Sequence, residues 1–212
     1  MEASSQTREI TGVGGKKRGS LDDWLSRVTG SSSRRERQQL AQLAKSSEAK
    51  LIAEIGFNAG FCSYAFLAEN PEAKVVSFDI GTALHVRPAK FVIDLIFPGR
   101  HTLIYGDSKQ TLPNFYKDHP EVRFDFVFID GGHDYETAYA DIVNLRPLCT
   151  DTTTVVMDDI TPWLAWGKGP TEAWEHAQAA NLVIQEGLFQ DGRQVDVIEP
   201  PGDRSWALGR YL

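Results

Sequence analysis

The stretch from Leu51 to Asp79, LIAEIGFNAGFCSYAFLAENPEAKVVSFD, constrains this chain more than any other. An apolar run, Leu51 to Ile55, carries one carboxylate, Glu54. Gly56, Asn58 and Gly60 follow, then an apolar helical pattern, then a β-rich run, Val75 to Phe78, that ends on Asp79. Strand, glycine turn, helix, strand and acid make a βαβ unit suited to a nucleoside. Glycine permits positive φ and close approach of a ligand to the backbone. A helix N-terminus offers free N–H groups. An acid at the end of the second strand, about 20 residues on, can accept hydrogen bonds from ribose hydroxyls. The glycines follow G-x-N-x-G, not the dinucleotide pattern, and no Gly-Lys-Ser/Thr follows for a nucleoside triphosphate. Glu54, two residues before the turn, suits a ligand with a cationic amino-acid end better than a pyrophosphate.

The rest of the chain repeats this alternation. Helices are expected near Leu84–Phe97, Lys109–His119, Tyr135–Leu148 and Thr171–Asn181. Strands are expected at His101–Tyr105, Phe124–Ile129 and Thr153–Met157. Unbroken apolar runs such as FDFVFI and TTVVM fit a parallel sheet covered on both faces. The pattern predicts an α/β, Rossmann-like, doubly wound sheet. Val183–Phe189, a DGR turn and Ser205–Tyr211 have no helix between them, so an antiparallel pair should close the sheet. Residues 1–30 read as a polar, Gly/Ser-rich arm with a short helix, Leu21–Val28, and residues 31–212 as one domain. The Leu21–Val28 segment would put Leu21, Trp24, Leu25 and Val28 on one face. A further helix should start at a Ser33 cap, with Leu40 and Leu43 facing in.

The 212 residues suffice for one domain with a sizeable core. The net charge of -7 argues against a general phosphate-binding surface. The basic clusters at residues 16–18 and 34–37 read as solvated surface, because no aromatics interleave them. Two cysteines, Cys62 and Cys149, make no disulfide framework and suggest a reducing, cytoplasmic setting. No 18-residue apolar run points to a membrane, and the N-terminus has no signal-peptide core.

In open α/β sheets ligands bind beyond the carboxyl ends of the strands. Those ends carry Glu54, Asp79, Asp107-Ser108, Asp130-Gly131-Gly132-His133 and Asp158-Asp159. Asp130, Asp158 and Asp159 close two successive strands. Carboxylates on strand ends roughly 5 Å apart repel one another unless a cation joins them. Hard oxygen ligands select Mg²⁺, Mn²⁺ or Ca²⁺. The competing reading makes Asp159 a cap and Asp158 an acceptor of backbone N–H bonds. His133 reads as a general base or as a histidine satisfying a helix start. His85, His101, His119 and His176 read as structural or surface residues, Lys109 as solvent-facing. Trp163 and Trp166 sit in a Gly/Pro-bounded loop at the same edge, where they could pack or stack on a substrate.

From residue 50 onward the sequence resembles the class I S-adenosylmethionine-dependent methyltransferases, whose first motif is matched by Glu54, Gly56 and Gly60 and whose second acid is matched by Asp79. FIDGGHDYETAYADI and VVMDDI resemble segments of small metal-dependent O-methyltransferases with an Asp-Gly-x-His signature. The resemblance implies a seven-stranded, mostly parallel sheet with an antiparallel C-terminal strand. It implies S-adenosyl-L-methionine bound by Glu54, Gly56, Phe57, Asn58, Gly60, Ser63, Asp79, Ile80, Asp107, Ser108 and Asp130. It implies a divalent cation, Mg²⁺ first, on Asp130, Asp158 and Asp159, with Asp130 and His133 catalytic and His133 as base. The expected partner is a hydroxylated small molecule such as a catechol, phenol or sugar, with no nucleic acid and no membrane; a homodimer is compatible. A metal-independent methyltransferase, a nicotinamide-dependent oxidoreductase and a nucleoside-binding module without chemistry remain alternatives at this point. Residues 1–50 match no family pattern.

Overall fold

A computed structural model describes residues 32–212. The expected arm and the Leu21–Val28 helix therefore lie outside the described residues. The first helix, α1 (Arg34–Ser46), starts where its sequence says it should. Ser33 Oγ accepts from the Glu36 N–H at 3.2 Å, and Glu36 returns a carboxylate oxygen to the Ser33 N–H at 3.1 Å. That reciprocal cap satisfies two backbone donors that a helix start leaves without partners.

Then strands and helices alternate: β1 (Leu51–Ile55), α2 (Phe61–Glu69), β2 (Lys74–Asp79), α3 (Val86–Ile96), β3 (His101–Tyr105), α4 (Ser108–Asp118), β4 (Phe124–Ile129), α5 (Tyr135–Leu145), β5 (Cys149–Met157) and α6 (Lys168–Ala179). The chain ends in β6 (Val183–Gln190), β7 (Arg193–Val195) and β8 (Ser205–Tyr211). The sheet order is β3-β2-β1-β4-β5-β8-β6-β7. The first five strands run parallel, and β8 lies antiparallel between β5 and β6. The order reverses between β1 and β4, which opens a crevice at their carboxyl ends.

The sequence calls for seven strands; the described chain has eight. The Asp191-Gly192 turn does not join the two long antiparallel strands. It leads into the short β7, which pairs with the outer edge of β6, and residues 196–204 then carry the chain back to β8. Gln190 fixes that return by accepting from the Glu199 N–H at 3.1 Å and donating to the carbonyl of Pro201 at 3.2 Å.

Side-chain alternation along the central strands gives the molecule two cores. Ala53, Ile55, Val127 and Ile129 pack toward α4, α5 and α6, with Trp174 among them. Ile52, Phe126 and Phe128 pack toward α1, α2 and α3, where Leu40 and Phe66 meet them. Asp125 faces outward on β4 and accepts from the Lys50 and Leu51 N–H groups, both at 2.8 Å, which fixes the start of β1. Among the described residues no helix is long and apolar enough to cross a membrane.

Candidate active site

The crevice is a cavity of about 640 Å³ at the carboxyl ends of β1, β2, β3 and β4. That volume suits a cofactor-sized ligand. Gly56, Asn58, Asp79, Ile80, Asp107, Ser108, Asp130 and His133 all line it. Asp79 is held from both sides: its two oxygens accept from the N–H groups of Asn58 at 2.8 Å and Gly81 at 2.7 Å. A carboxylate has about four acceptor sites, so two remain for ligand hydroxyls.

Gly56 is a glycine for a reason the sequence does not display. Its φ is +92°, and a Cβ there would lie 1.9 Å from the carbonyl oxygen of Asp130. The close approach is to the chain leaving β4. Gly60, at φ +74°, is the residue before α2, and a Cβ would meet the Phe57 ring at 2.7 Å. Phe57 is therefore a wall of the turn, buried at 2% exposure.

Glu54 and Ser63 lie behind the crevice. Glu54 is fully buried, and Ser63 and Ser77 both donate to its Oε2 at 2.5 Å. His101 Nε2 meets Ser77 Oγ at 2.9 Å and Ser63 Oγ at 3.2 Å. The group ties β1, β2, β3 and α2 together. Burial pushes the Glu54 carboxyl up to about 7 and His101 down to about 4. A carboxyl with a raised folded pKa binds a proton that the unfolded chain has lost. Stability from this group therefore falls as pH rises from about 4.5 to about 7. Glu54→Gln removes the titration but not the acceptor oxygen. Relative to wild type, the variant should gain about 3 kcal/mol between pH 4.5 and pH 8 in urea unfolding, from 1.36 kcal/mol per pKa unit. His101 titrates in both proteins and cancels. Parallel pH profiles for the two would refute a buried, neutral Glu54.

His85, which the sequence reads as a structural or surface residue, lines the crevice. Its Nε2 meets Asn58 Oδ1 at 2.5 Å, so the ring donates there. His85 does not directly follow a strand but precedes α3 as its cap residue, so its place at the crevice is set by the tertiary fold. Lys109 is solvent-exposed as expected, and at the crevice it donates to Thr137 Oγ1 at 2.9 Å. Asp107 caps α4 by accepting from the Lys109 N–H at 3.0 Å.

The acid end of the crevice is grouped differently from the expected Asp130–Asp158–Asp159 triplet. One donor atom each from Asp130, His133 and Asp159 lie within 4.8 Å of one another, with His133 Nε2 2.8 Å from Asp159 Oδ2. Asp158 is turned away, 6% exposed, and faces Glu36 of α1. Its Oδ1 accepts from the Asp159 N–H at 2.8 Å. Asp159 has φ +59°, so the two neighbouring side chains diverge. Burial first, and then the neighbouring carboxylates, push Asp130 and Asp158 up; burial also pushes Glu36 up, against Arg204, whose Nη1 lies 3.6 Å away. The hydrogen bond to Asp159 raises His133 above its ordinary value, against the opposing effect of burial. Sequence reasoning missed Glu36, whose capping role accounts for it locally. Of the two loop tryptophans, Trp163 is tied to the Gly202 carbonyl at 3.1 Å, while the Trp166 ring lies 6.4 Å from that of His133.

Residues 53–160 match the family model described as a methyltransferase domain. No curated protein sequence matches the chain. Solved structures resemble it in fold. An O-methyltransferase from Bacillus cereus in complex with SAH is 17% identical, with a TM-score of 0.70 over 91% of this chain and 97% of that one. The SAH-bound methyltransferase PaMTH1 from Podospora anserina is 16% identical, with a TM-score of 0.67 over 85% and 80%. The O-methyltransferase TomG from Streptomyces achromogenes, in complex with SAM, is 18% identical, with a TM-score of 0.64 over 88% and 85%. The glycine turn, the clasped Asp79 and the acid-closed β4 and β5 all fall within the matched segment, and by that match the chain belongs to the methyltransferase-domain family.

Proposed function

We propose that the protein transfers a methyl group from S-adenosyl-L-methionine to a hydroxyl oxygen of a small molecule. One observation carries this reading: Asp79, clasped as a hydroxyl acceptor, and His133, paired with Asp159, line the same crevice. Methyl transfer from a sulfonium is an in-line displacement. The acceptor O–H bond breaks, an O–CH₃ bond forms, the S–CH₃ bond breaks and a thioether leaves. The protein must align the three centres and remove one proton. His133 Nε2–H donates to the Asp159 carboxylate, which leaves Nδ1 of the neutral ring to take that proton. Asp159 holds the ring and stabilises the imidazolium that results. The nicotinamide alternative has no support once the family is known.

A divalent cation suits this acid end. Asp130 lies in the field of Asp159, Glu36 and Glu54, with Arg204 opposing them. Asp130 and Asp159 would hold the ion, which when bound lowers the pKa of a hydroxyl on it. One observation favours a second reading: the His133 nitrogen itself lies within 4.8 Å of both oxygens. As a ligand, His133 would make a mixed nitrogen–oxygen set, which suits Mn²⁺ better than Mg²⁺ or Ca²⁺, and could not be the base. Titrating Mn²⁺ into wild type and His133→Ala separates the two. Unchanged ion affinity supports the base; lost affinity supports the ligand. Exhaustive chelation should abolish turnover yet leave SAH affinity within about threefold; turnover that survives it removes the ion from the mechanism.

The methyl-transfer reading is tested by a screen of phenols, catechols and sugars with labelled S-adenosylmethionine, with and without Mg²⁺ or Mn²⁺. For the cofactor, calorimetry with SAH should show Asp79→Ala weaker by one to two orders of magnitude, since a hydrogen bond to a charged group contributes roughly 1.5–3 kcal/mol. Equal affinity in the variant would remove Asp79 from the site.

A further inference from the structure

Asp141, midway along α5, plays no part in the reaction above. It is fully buried, and neither of its oxygens has a hydrogen-bond partner among the described residues. A buried carboxyl left unpaired destabilises a fold, and an apolar residue would fill the place without that penalty. Its position is at the back of the crevice wall. Gly131 and Gly132 line the crevice after β4, and neither has a positive φ that would call for glycine. What they provide is room. A Cβ on Gly131 would lie 2.9 Å from Ile55 Cγ2 and 3.0 Å from Asp141 Oδ2, and one on Gly132 would lie 2.7 Å from Thr137 Cγ2. The first turn of α4 approaches from the other side. Lys109 Nζ donates to Thr137 Oγ1 at 2.9 Å, and Thr137 stands one turn before Asp141 on the same face of α5. Ser108, the residue before Lys109, lines the crevice. Burial pushes the Asp141 carboxyl up to about 7, and the Ser108 hydroxyl, a donor to its charged form, acts against that rise. The two groups are close but short of a formed hydrogen bond.

We propose that Asp141 is a positioning residue: it draws the Ser108 hydroxyl hydrogen inward, so that Ser108 Oγ turns only lone pairs to the crevice and selects a donor molecule whose base carries an amino group. A hydroxyl has one hydrogen and two lone pairs, and an ionised carboxylate only accepts. The serine hydrogen therefore goes to Asp141, and an acceptor is what remains for the ligand. Asp107, the neighbouring acid, is already engaged: Oδ1 accepts from the Lys109 N–H at 3.0 Å, and Oδ2 lies 3.7 Å from Lys109 Nζ. The inference rests on the methyl-transfer reading. With the ribose held at Asp79 on β2, the base of S-adenosylmethionine falls toward neighbouring β3, where Ile80 and Ser108 both line the crevice. The 6-amino group of adenine supplies the hydrogen that Ser108 Oγ lacks. A 6-carbonyl would set lone pairs against lone pairs, and a site built to receive a hydrogen bond rejects the analogue that cannot make it.

Calorimetry with SAH and with S-inosylhomocysteine, its 6-oxo analogue, tests this at about pH 8.5, where Asp141 is ionised. The unmodified protein should prefer SAH by about 10–100-fold, the range expected when one polar contact is made or left unpaired. In Asp141→Asn the amide can donate to Ser108 and turn the hydroxyl round, so the preference should shrink to within about threefold. Asp141→Leu, which removes the acceptor and the buried polar group together, should lose the preference without a lower unfolding midpoint. Ser108→Ala should lose it as well, and adding either Asp141 change to Ser108→Ala should alter nothing further, because residues that act through one another are not additive. A merely structural Asp141 would move the affinities for both ligands alike and leave their ratio alone. A ratio that stays the same in Ser108→Ala, or an Asp141 effect that persists without the serine hydroxyl, would overturn the inference while SAH binding upheld the reading beneath it. Failure of the unmodified protein to bind SAH would overturn both.

Discussion

Gly56→Ala should be the most damaging glycine-to-alanine change among the described residues. The added carbon would sit 1.9 Å from the backbone oxygen of Asp130, in a conformation, φ +92°, that side chains avoid. The oxygen cannot swing aside like a side chain. It follows directly on Ile129, whose strand is paired in register with β1, and Asp130 itself donates to the Ile55 carbonyl at 2.9 Å. Relief requires the ends of β1 and β4 to part. Overpacking of this kind costs about 1–3 kcal/mol and more where the backbone must move. For a chain this long that is a fall in unfolding midpoint of roughly 2–12 °C. Gly99→Ala is the control: Gly99 has φ +72°, but a Cβ there meets nothing within 4 Å. It carries the conformational penalty without the collision. Midpoints that fall equally in both variants would mean the contact with Asp130 contributes nothing.

His133→Ala should lower kcat by about 10²–10⁴ and leave SAH affinity nearly unchanged, as expected for loss of a general base. The wild-type rate should rise with pH through the titration of His133, because only the neutral ring accepts a proton. Pairing with Asp159 sets that rise above the ordinary 6.5. The rise should vanish in the variant. A catechol, whose hydroxyl is already acidic, should depend on His133 less than a sugar does. The measurement is kcat against pH for both proteins on one acceptor from the screen. Matching profiles would return His133 to a structural role.

The fold was legible because the central strands are apolar on both faces, and only a sheet covered on both sides needs that. β7 was not legible. Arg193, Gln194 and Val195 carry no alternation, and their strand exists because β6 offers an open edge. Among the site residues, Asp79, Asp107 and Asp130 could be placed by their position just after a strand. Glu54 could have been placed better. It shares parity with Ile52, which faces α2, whereas the crevice opens above Ile55 and Gly56. Asp158 and Asp159 were not separable, since their divergence depends on a left-handed residue that Asp does not announce. Glu36 was hidden because its local role as a cap is sufficient to explain it; its second neighbour, Asp158, arrives only through the tertiary fold.

The clasp on Asp79 has a kinetic consequence. Two backbone N–H groups hold the carboxylate ready before any ligand enters, so none of its orienting entropy is charged to binding. On the function we propose, its target is the sugar of the donor, which the reaction leaves unaltered. A grip of that kind cannot tell the spent donor from the fresh one. The by-product should therefore be a strong competitive inhibitor, and sustained turnover should depend on a neighbouring activity that clears it.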